Sequence, residues 1–136
     1  SAHGKAGFDA LLASCDIHIC ILPLTPSTTN LFDATAFARM KKGAYFINGG
    51  RGKQVVEADL LAALRAQHLD GACLDVFVEE PLPPQHPFWQ EPAITIWPHV
   101  AAQTNPDTAA DQVAAAIRAA AEGAPLSNLV DKGRGY

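Results

Sequence analysis

Apolar positions along the chain switch between two spacings. Phe8, Leu11 and Leu12 recur on one helical face, and Leu60, Leu61 and Leu64 do so more clearly within a helix predicted over Glu57–Gln67. Between these stretches lie short apolar runs, rich in β-branched and aromatic residues, that predict buried strands at Asp16–Leu22, Ala44–Ile47, Gly71–Leu74 and Ala93–Trp97. Pro23 and Pro26 forbid continuation of the first strand. A short helix over Ala34–Met40 and a long alanine-rich one over about Pro106–Glu122, ending before Gly123, complete the series.

Buried-type strands separated by helices define an α/β fold with a parallel sheet of at least four strands. One connection departs from the pattern. Prolines at 81, 83, 84, 87 and 92 leave Val76–Pro92 room for little more than one short turn. A loop that long in a compact domain is usually functional. There is no internal repeat and no low-complexity linker.

Composition narrows the class of partner. The 136 residues are 49% hydrophobic and 18% charged, a globular balance, with ten Lys+Arg against fourteen Asp+Glu. No basic run can neutralise several phosphates, so a nucleic-acid partner is not expected. The longest apolar stretches, such as Ile17–Leu24 and Val113–Ala121, fall short of the roughly 20 residues that span a bilayer. The opening SAHGKAG has no apolar h-region. Cys15, Cys20 and Cys73 make an odd number beside apolar runs, as free thiols of a reducing compartment do. We therefore expect a soluble cytoplasmic protein without a membrane partner. Cys15, His18 and Cys20 lie close in sequence, but alternation places His18 and Cys20 on one strand face with no third and fourth ligand for that pair, and no metal is expected.

Uncommon residues cluster where the predicted strands end. Pro23–Thr29 follows the first strand, Asn48–Gly52 the second, Asp75–Pro84 the third and Pro98-His99 the fourth. Open α/β sheets bind ligands at the carboxyl ends of their strands. Arg51, Glu80 and His99 are thus expected to meet over one sheet edge. Arg51, delivered by the glycines of INGGRGK, offers a fork of donors matched to a carboxylate. Glycine is expected here for a sharp bend and a close approach. His99, led in by Pro98, is an acid/base candidate. A carboxylate on one imidazole nitrogen fixes the tautomer and raises the ring's pKa; Glu79 or Glu80 fills that role, and spacing does not choose between them. Asp75 is equally a cap or a polar handle for a ligand. His3, His18, His68 and His86 have structural readings: terminus, strand, helix end and proline loop.

The segments NGGRGKQVVEADLLAAL, GACLDVFVEEPLP and WPHVAAQT resemble the signature regions of the D-isomer-specific 2-hydroxyacid dehydrogenases, and within them the group that reduces glyoxylate and hydroxypyruvate. The closing Arg134-Gly135-Tyr136 fits that group as well. The resemblance implies reduction of a small 2-keto acid with NADP or NAD, NADPH favoured, by a homodimer. It assigns Arg51 to the substrate carboxylate, His99 to the proton and Glu80 to the orientation of His99. Asp75 would meet the nicotinamide carboxamide; Pro23, Leu24 and Thr28 the adenosine side; Asn48, Gly49, Gly50, Ala101 and Ala102 would lie near the cofactor, in reach of Arg51 and His99.

Two departures from the family stand out. Trp97 precedes Pro98-His99 where the family commonly has Thr, and no G-x-G-x-x-G turn is present. The chain is accordingly expected to be the C-terminal half of a Rossmann-type NAD(P)-binding domain (residues 1–103), followed by a helix and tail (104–136) that return toward a substrate domain, and to be a poor catalyst alone. The rival reading is a non-catalytic NAD(P)-binding regulatory module of the same fold. A receiver-like or flavodoxin-like domain needs an acidic pocket or a flavin phosphate loop, and the sequence has neither.

Overall fold

A computed structural model describes residues 4–133 of the chain; His3 and the Arg134-Gly135-Tyr136 motif lie outside the described residues. The chain forms two compact units, divided between Ala101 and Ala102.

The first unit runs α1 (Gly4–Ser14), β1 (Ile17–Cys20), α2 (Ala34–Arg39), β2 (Ala44–Asn48), α3 (Glu57–Arg65), β3 (Leu69–Leu74) and β4 (Ile94–Ile96). The four strands pair in parallel in the order β1-β2-β3-β4. Every expected element is present. β1 is shorter than the apolar run, because Ile21 and Leu22 leave the sheet before Pro23, whereas β3 starts earlier than expected, at Leu69. A single 3₁₀ turn, Pro87–Gln90, breaks the proline-rich connection.

Alternation sorts each strand onto two faces. His18 and Cys20 of β1, Ala44 and Phe46 of β2, and Ala72 and Leu74 of β3 are buried. They share a core with Leu12 of α1, Phe37 of α2 and Leu60, Leu61 and Leu64 of α3. Phe8, Phe32, Phe37 and Phe46 pack as a chain of ring contacts, the tightest being Phe32–Phe46 at 4.8 Å. The opposite face is bare: Ile17 is 60% and Ile19 64% exposed, with Tyr45 beside them. All three helices of this unit thus lie on one side of the sheet.

Local signals fix the helix ends. The Asp33 carboxylate accepts from the Ala36 N–H at 2.8 Å and caps α2. Asp59 in the first turn of α3 reaches the Ala34 N–H at 2.8 Å, joining the two helices. The second unit holds α4 (Pro106–Ala121), capped by Asn105 and terminated before Gly123, whose φ of 66° glycine adopts without strain. No α4 residue is buried, and Val113 and Ile117 form an exposed stripe. Among the described residues no helix is long and apolar enough to cross a membrane.

Candidate active site

β2 exits into the turn that carries Arg51, and two buried amides shape it. Asn48, 1% exposed, accepts the Gly50 N–H at 3.0 Å and donates to the Arg51 carbonyl at 3.2 Å. The Gln54 side chain accepts the Arg51 N–H at 2.8 Å. The glycines here serve space rather than angle: only Gly4, Gly43 and Gly123 among the described glycines have positive φ. A Cβ on Gly52 would stand 1.9 Å from the Phe77 carbonyl carbon, and one on Gly50 would stand 2.3 Å from Gln54 Oε1. The expected sharp bend at a special angle is therefore replaced by close contact, with the Arg51 turn seated against the proline-rich loop. The guanidinium folds back, Nη1 donating to the Gly50 carbonyl at 2.7 Å.

That proline-rich loop brings Glu80 and His99 together. Glu80 Oε1 accepts the Phe77 N–H at 2.9 Å, and Oε2 lies 2.7 Å from His99 Nδ1. Burial pushes the Glu80 pKa up, but the hydrogen bonds from His99 and Phe77 and the charges of His99 and Arg51 outweigh it and hold the carboxyl below its ordinary value. An ionised carboxylate only accepts, so Nδ1 carries the proton of this bond and Nε2 faces outward as the working nitrogen. The Arg51 charge is the smallest of these influences on Glu80. Glu79 makes no such contact. Glu57, at the start of α3, anchors the same loop, accepting the Val78 N–H at 3.0 Å and lying 3.5 Å from His86.

His99 sits at φ 55°, in the left-handed region that costs a non-glycine residue about 1 kcal/mol. Asp75, 6% exposed, holds that turn: its two oxygens accept the Val100 and Ala101 N–H groups at 2.7 and 2.9 Å. Asp75 is thus first a brace for the histidine turn, and each oxygen keeps a further lone pair for a ligand donor.

Two cavities flank these groups. One, of about 470 Å³, is lined by Phe77, Leu82, Trp89 and Trp97 beside the Glu80–His99 pair. The other, of about 300 Å³, is lined by Asn48, Gly49, Cys73, Asp75, Trp97 and Ala101. Four of the expected cofactor positions thus border one cavity, with Trp97 standing between the two. Thr28 instead borders a separate groove of about 930 Å³ against α1 and α2. Its hydroxyl is engaged in its own loop, accepting the Thr25 N–H at 2.8 Å and donating to the Pro23 carbonyl at 2.7 Å. Pro23 and Leu24 lie in that loop, outside the 300 Å³ cavity, and Ala102 belongs to the second unit.

Sequence reasoning missed Gln54 and Glu57. Gln54 is a polar residue that follows Lys53 and precedes Val55, and hydrophobic patterning gives no sign of its complete burial. His68 does more than complement a helix end, its Nε2 lying 3.0 Å from the Met40 carbonyl. His18 is buried on the core face of β1; burial lowers its pKa, against the Cys15 carbonyl and the Asp16 charge, which raise it. All three cysteines are free, and among the described residues no group of three or more metal-ligating side chains gathers.

A parallel sheet whose strand-end loops carry an arginine, a histidine–glutamate pair and a cavity lined by Asn48, Asp75 and Trp97 is an open α/β fold of the class that binds ligands at the carboxyl ends of its strands. The chain belongs to the D-isomer specific 2-hydroxyacid dehydrogenase, NAD binding domain family, whose model matches residues 1–101. It is 44% identical over 133 residues to a glyoxylate/hydroxypyruvate reductase A of Yersinia enterocolitica, covering 98% of this chain and 42% of that protein. Among solved structures, a D-isomer specific 2-hydroxyacid dehydrogenase from Xanthobacter autotrophicus in complex with NADPH and MES aligns with a TM-score of 0.96 at 44% identity, over 98% of this chain and 55% of the other. An NADPH-dependent glyoxylate/hydroxypyruvate reductase from Sinorhizobium meliloti, in complex with NADP and sulfate, aligns with a TM-score of 0.93 at 41% identity, over 98% of this chain and 44% of the other. The chain therefore spans about half or less of the length of these relatives.

Proposed function

We propose that the natural protein containing this chain reduces a small 2-keto acid, of the glyoxylate or hydroxypyruvate kind, to the 2-hydroxy acid with NADPH. The observation that carries the reading is the 2.7 Å contact between His99 Nδ1 and a Glu80 carboxylate that is also under the influence of Arg51. Anion anchor, proton donor and orienting charge then lie within one set of strand-end loops. Likeness to NADPH-dependent reductases favours the phosphorylated cofactor.

A dinucleotide suits the residues present. The 300 Å³ cavity is ample for one aromatic ring, a Cβ on Gly49 would meet only Ile21 at 4.0 Å, and Asp75 can accept from a carboxamide. When bound, the reduced nicotinamide supplies a hydride equivalent to the keto carbon. Arg51 swings from the Gly50 carbonyl to pair with the substrate carboxylate and polarise the neighbouring ketone. His99 Nε2 gives its proton to the carbonyl oxygen as negative charge develops there. Glu80 holds the ring's tautomer and orientation through the contact at Nδ1. Asp75 keeps the His99 turn in place.

Incubating the natural protein with NADPH and either glyoxylate or hydroxypyruvate, and following reduced-nicotinamide absorbance, tests this. Steady loss that His99→Ala abolishes is expected. Absorbance that stays flat with both acids sinks the reading. The proposal includes a homodimer in the reducing cytoplasm, where three free thiols persist; a single-chain mass in sedimentation equilibrium would remove the dimer from it.

A further inference from the structure

We propose that Gln54 is the positioning residue for Arg51, tying the carboxylate-binding arginine to the loop that leaves β1. The inference rests on the reductase reading of Arg51 given above.

Gln54 is wholly buried at 0% exposure, and every hydrogen-bonding site of its amide is used. Oε1 accepts the Arg51 N–H at 2.8 Å and the Cys20 thiol at 3.4 Å. Nε2 donates to the carbonyls of Leu22 at 2.9 Å and Pro23 at 3.2 Å. The orientation of the amide is fixed by its partners. Flipped, it would set NH₂ against the Arg51 N–H and oxygen against two carbonyls, which are repulsive on both sides.

Three of these four partners lie in strand-end loops rather than in the helix-packed core. Gln54 also closes a 3₁₀ turn over Gly52–Gln54 with its own backbone, its N–H reaching the Arg51 carbonyl at 3.1 Å, while its carbonyl accepts the Phe32 N–H at 3.0 Å. The Arg51 backbone is thereby held at its nitrogen by Gln54 and at its oxygen by Asn48. Glycine at 50 is what admits the amide, since a Cβ there would overlap Oε1. A side chain of the same length without donors or acceptors would take the partner from the Arg51 N–H and the Leu22 carbonyl, the Pro23 carbonyl keeping the Thr28 hydroxyl, and the Cα that launches the guanidinium would lose its fixed place. Arginine's planar fork depends on that placement for two-point contact with a carboxylate.

The test is steady-state kinetics on the natural protein carrying Gln54→Met, Arg51→Lys and both. Gln54→Met should lower kcat/KM for glyoxylate about tenfold, through KM, the size of one well-made hydrogen bond. KM for NADPH should move by less than about threefold, and Gln54→Met should cost less than about twofold more when Lys already replaces Arg51, because a residue acting through another is non-additive with it. An unchanged glyoxylate KM, or losses that add in full, overturns the inference while leaving the reductase reading intact. An Arg51→Lys protein as fast as wild type overturns the reading itself, and the inference with it. Should Gln54→Met fail to fold, Gly50→Ala displaces the amide without removing it: the same KM rise supports the proposal and an unchanged KM overturns it.

Discussion

At the scale of single residues, the Glu80–His99 pair makes the sharpest predictions. Glu80→Gln keeps the shape and a hydrogen bond to Nδ1 but removes the negative charge that faces the ring. We expect kcat for keto-acid reduction to fall about 100-fold, within the range for impaired general acid catalysis, with NADPH affinity retained. Stopped-flow measurement of the chemical step checks it. The pH dependence of stability has a definite sign. Glu80's folded pKa lies below its ordinary 4.5, so its contribution is fully present above 4.5 and is lost as pH falls through the lower folded value. Glu80→Gln should flatten that acid limb of a urea-midpoint profile; an unaltered limb would show that the pair contributes nothing to folding. The contribution is small, because both side chains are partly exposed.

Arg51 and His99 were legible in the sequence because glycine and proline mark them and because strand ends are countable. Glu80 was not separable from Glu79 by spacing, since the choice depends on which carboxylate the loop turns back toward the Phe77 N–H and the imidazole. Gln54 was illegible for a different reason. A buried amide satisfied by four partners looks, in one dimension, like any polar residue between two others.

At the scale of elements, β1 carries a buried titratable group. Burial lowers the His18 pKa, so the folded chain resists its protonation. Stability from a neutral His18 is full above its ordinary 6.5 and falls as pH drops below that value toward the lower folded pKa. His18→Phe should remove this slope, read from chemical denaturation between about pH 4.5 and 7.5, a window set by the unfolded His pKa. A parallel profile for the variant would mean that His18 is solvated in solution. The contact between the β2 exit and the proline-rich loop is equally exacting. Gly52→Ala puts a methyl group inside backbone that cannot rotate away, and should cost about 3 kcal/mol of stability, at the upper end of single substitutions. A melting temperature within a degree or two of wild type would contradict it. Strand and helix identities were readable from periodicity, but this contact was not, because it joins loops separated in sequence by α3 and β3.

For the molecule as a whole, the one-sided sheet dominates. Ile17 and Ile19 stand exposed on the face opposite the helices, beside Tyr45, in a chain that spans about half or less of its relatives' length. The 136-residue polypeptide alone should therefore bind a hydrophobic dye strongly and self-associate as concentration rises. Ile17→Lys with Ile19→Lys should suppress both, as dye fluorescence and light scattering would report; equal dye binding by the variant would place the sticky surface elsewhere. The apolar runs of β1 and β2 predict buried strands, whereas Ile17, Ile19 and Tyr45 stand exposed, because the run does not say which face the helices will cover. In the proposed reading the chemistry occupies the strand-end loops, while much of the cohesion comes from the layer beneath. Substitutions at exposed loop positions that spare Asn48, Gly52 and Gln54 can accumulate without disturbing the core beneath, so the two halves of the design are free to drift at separate rates.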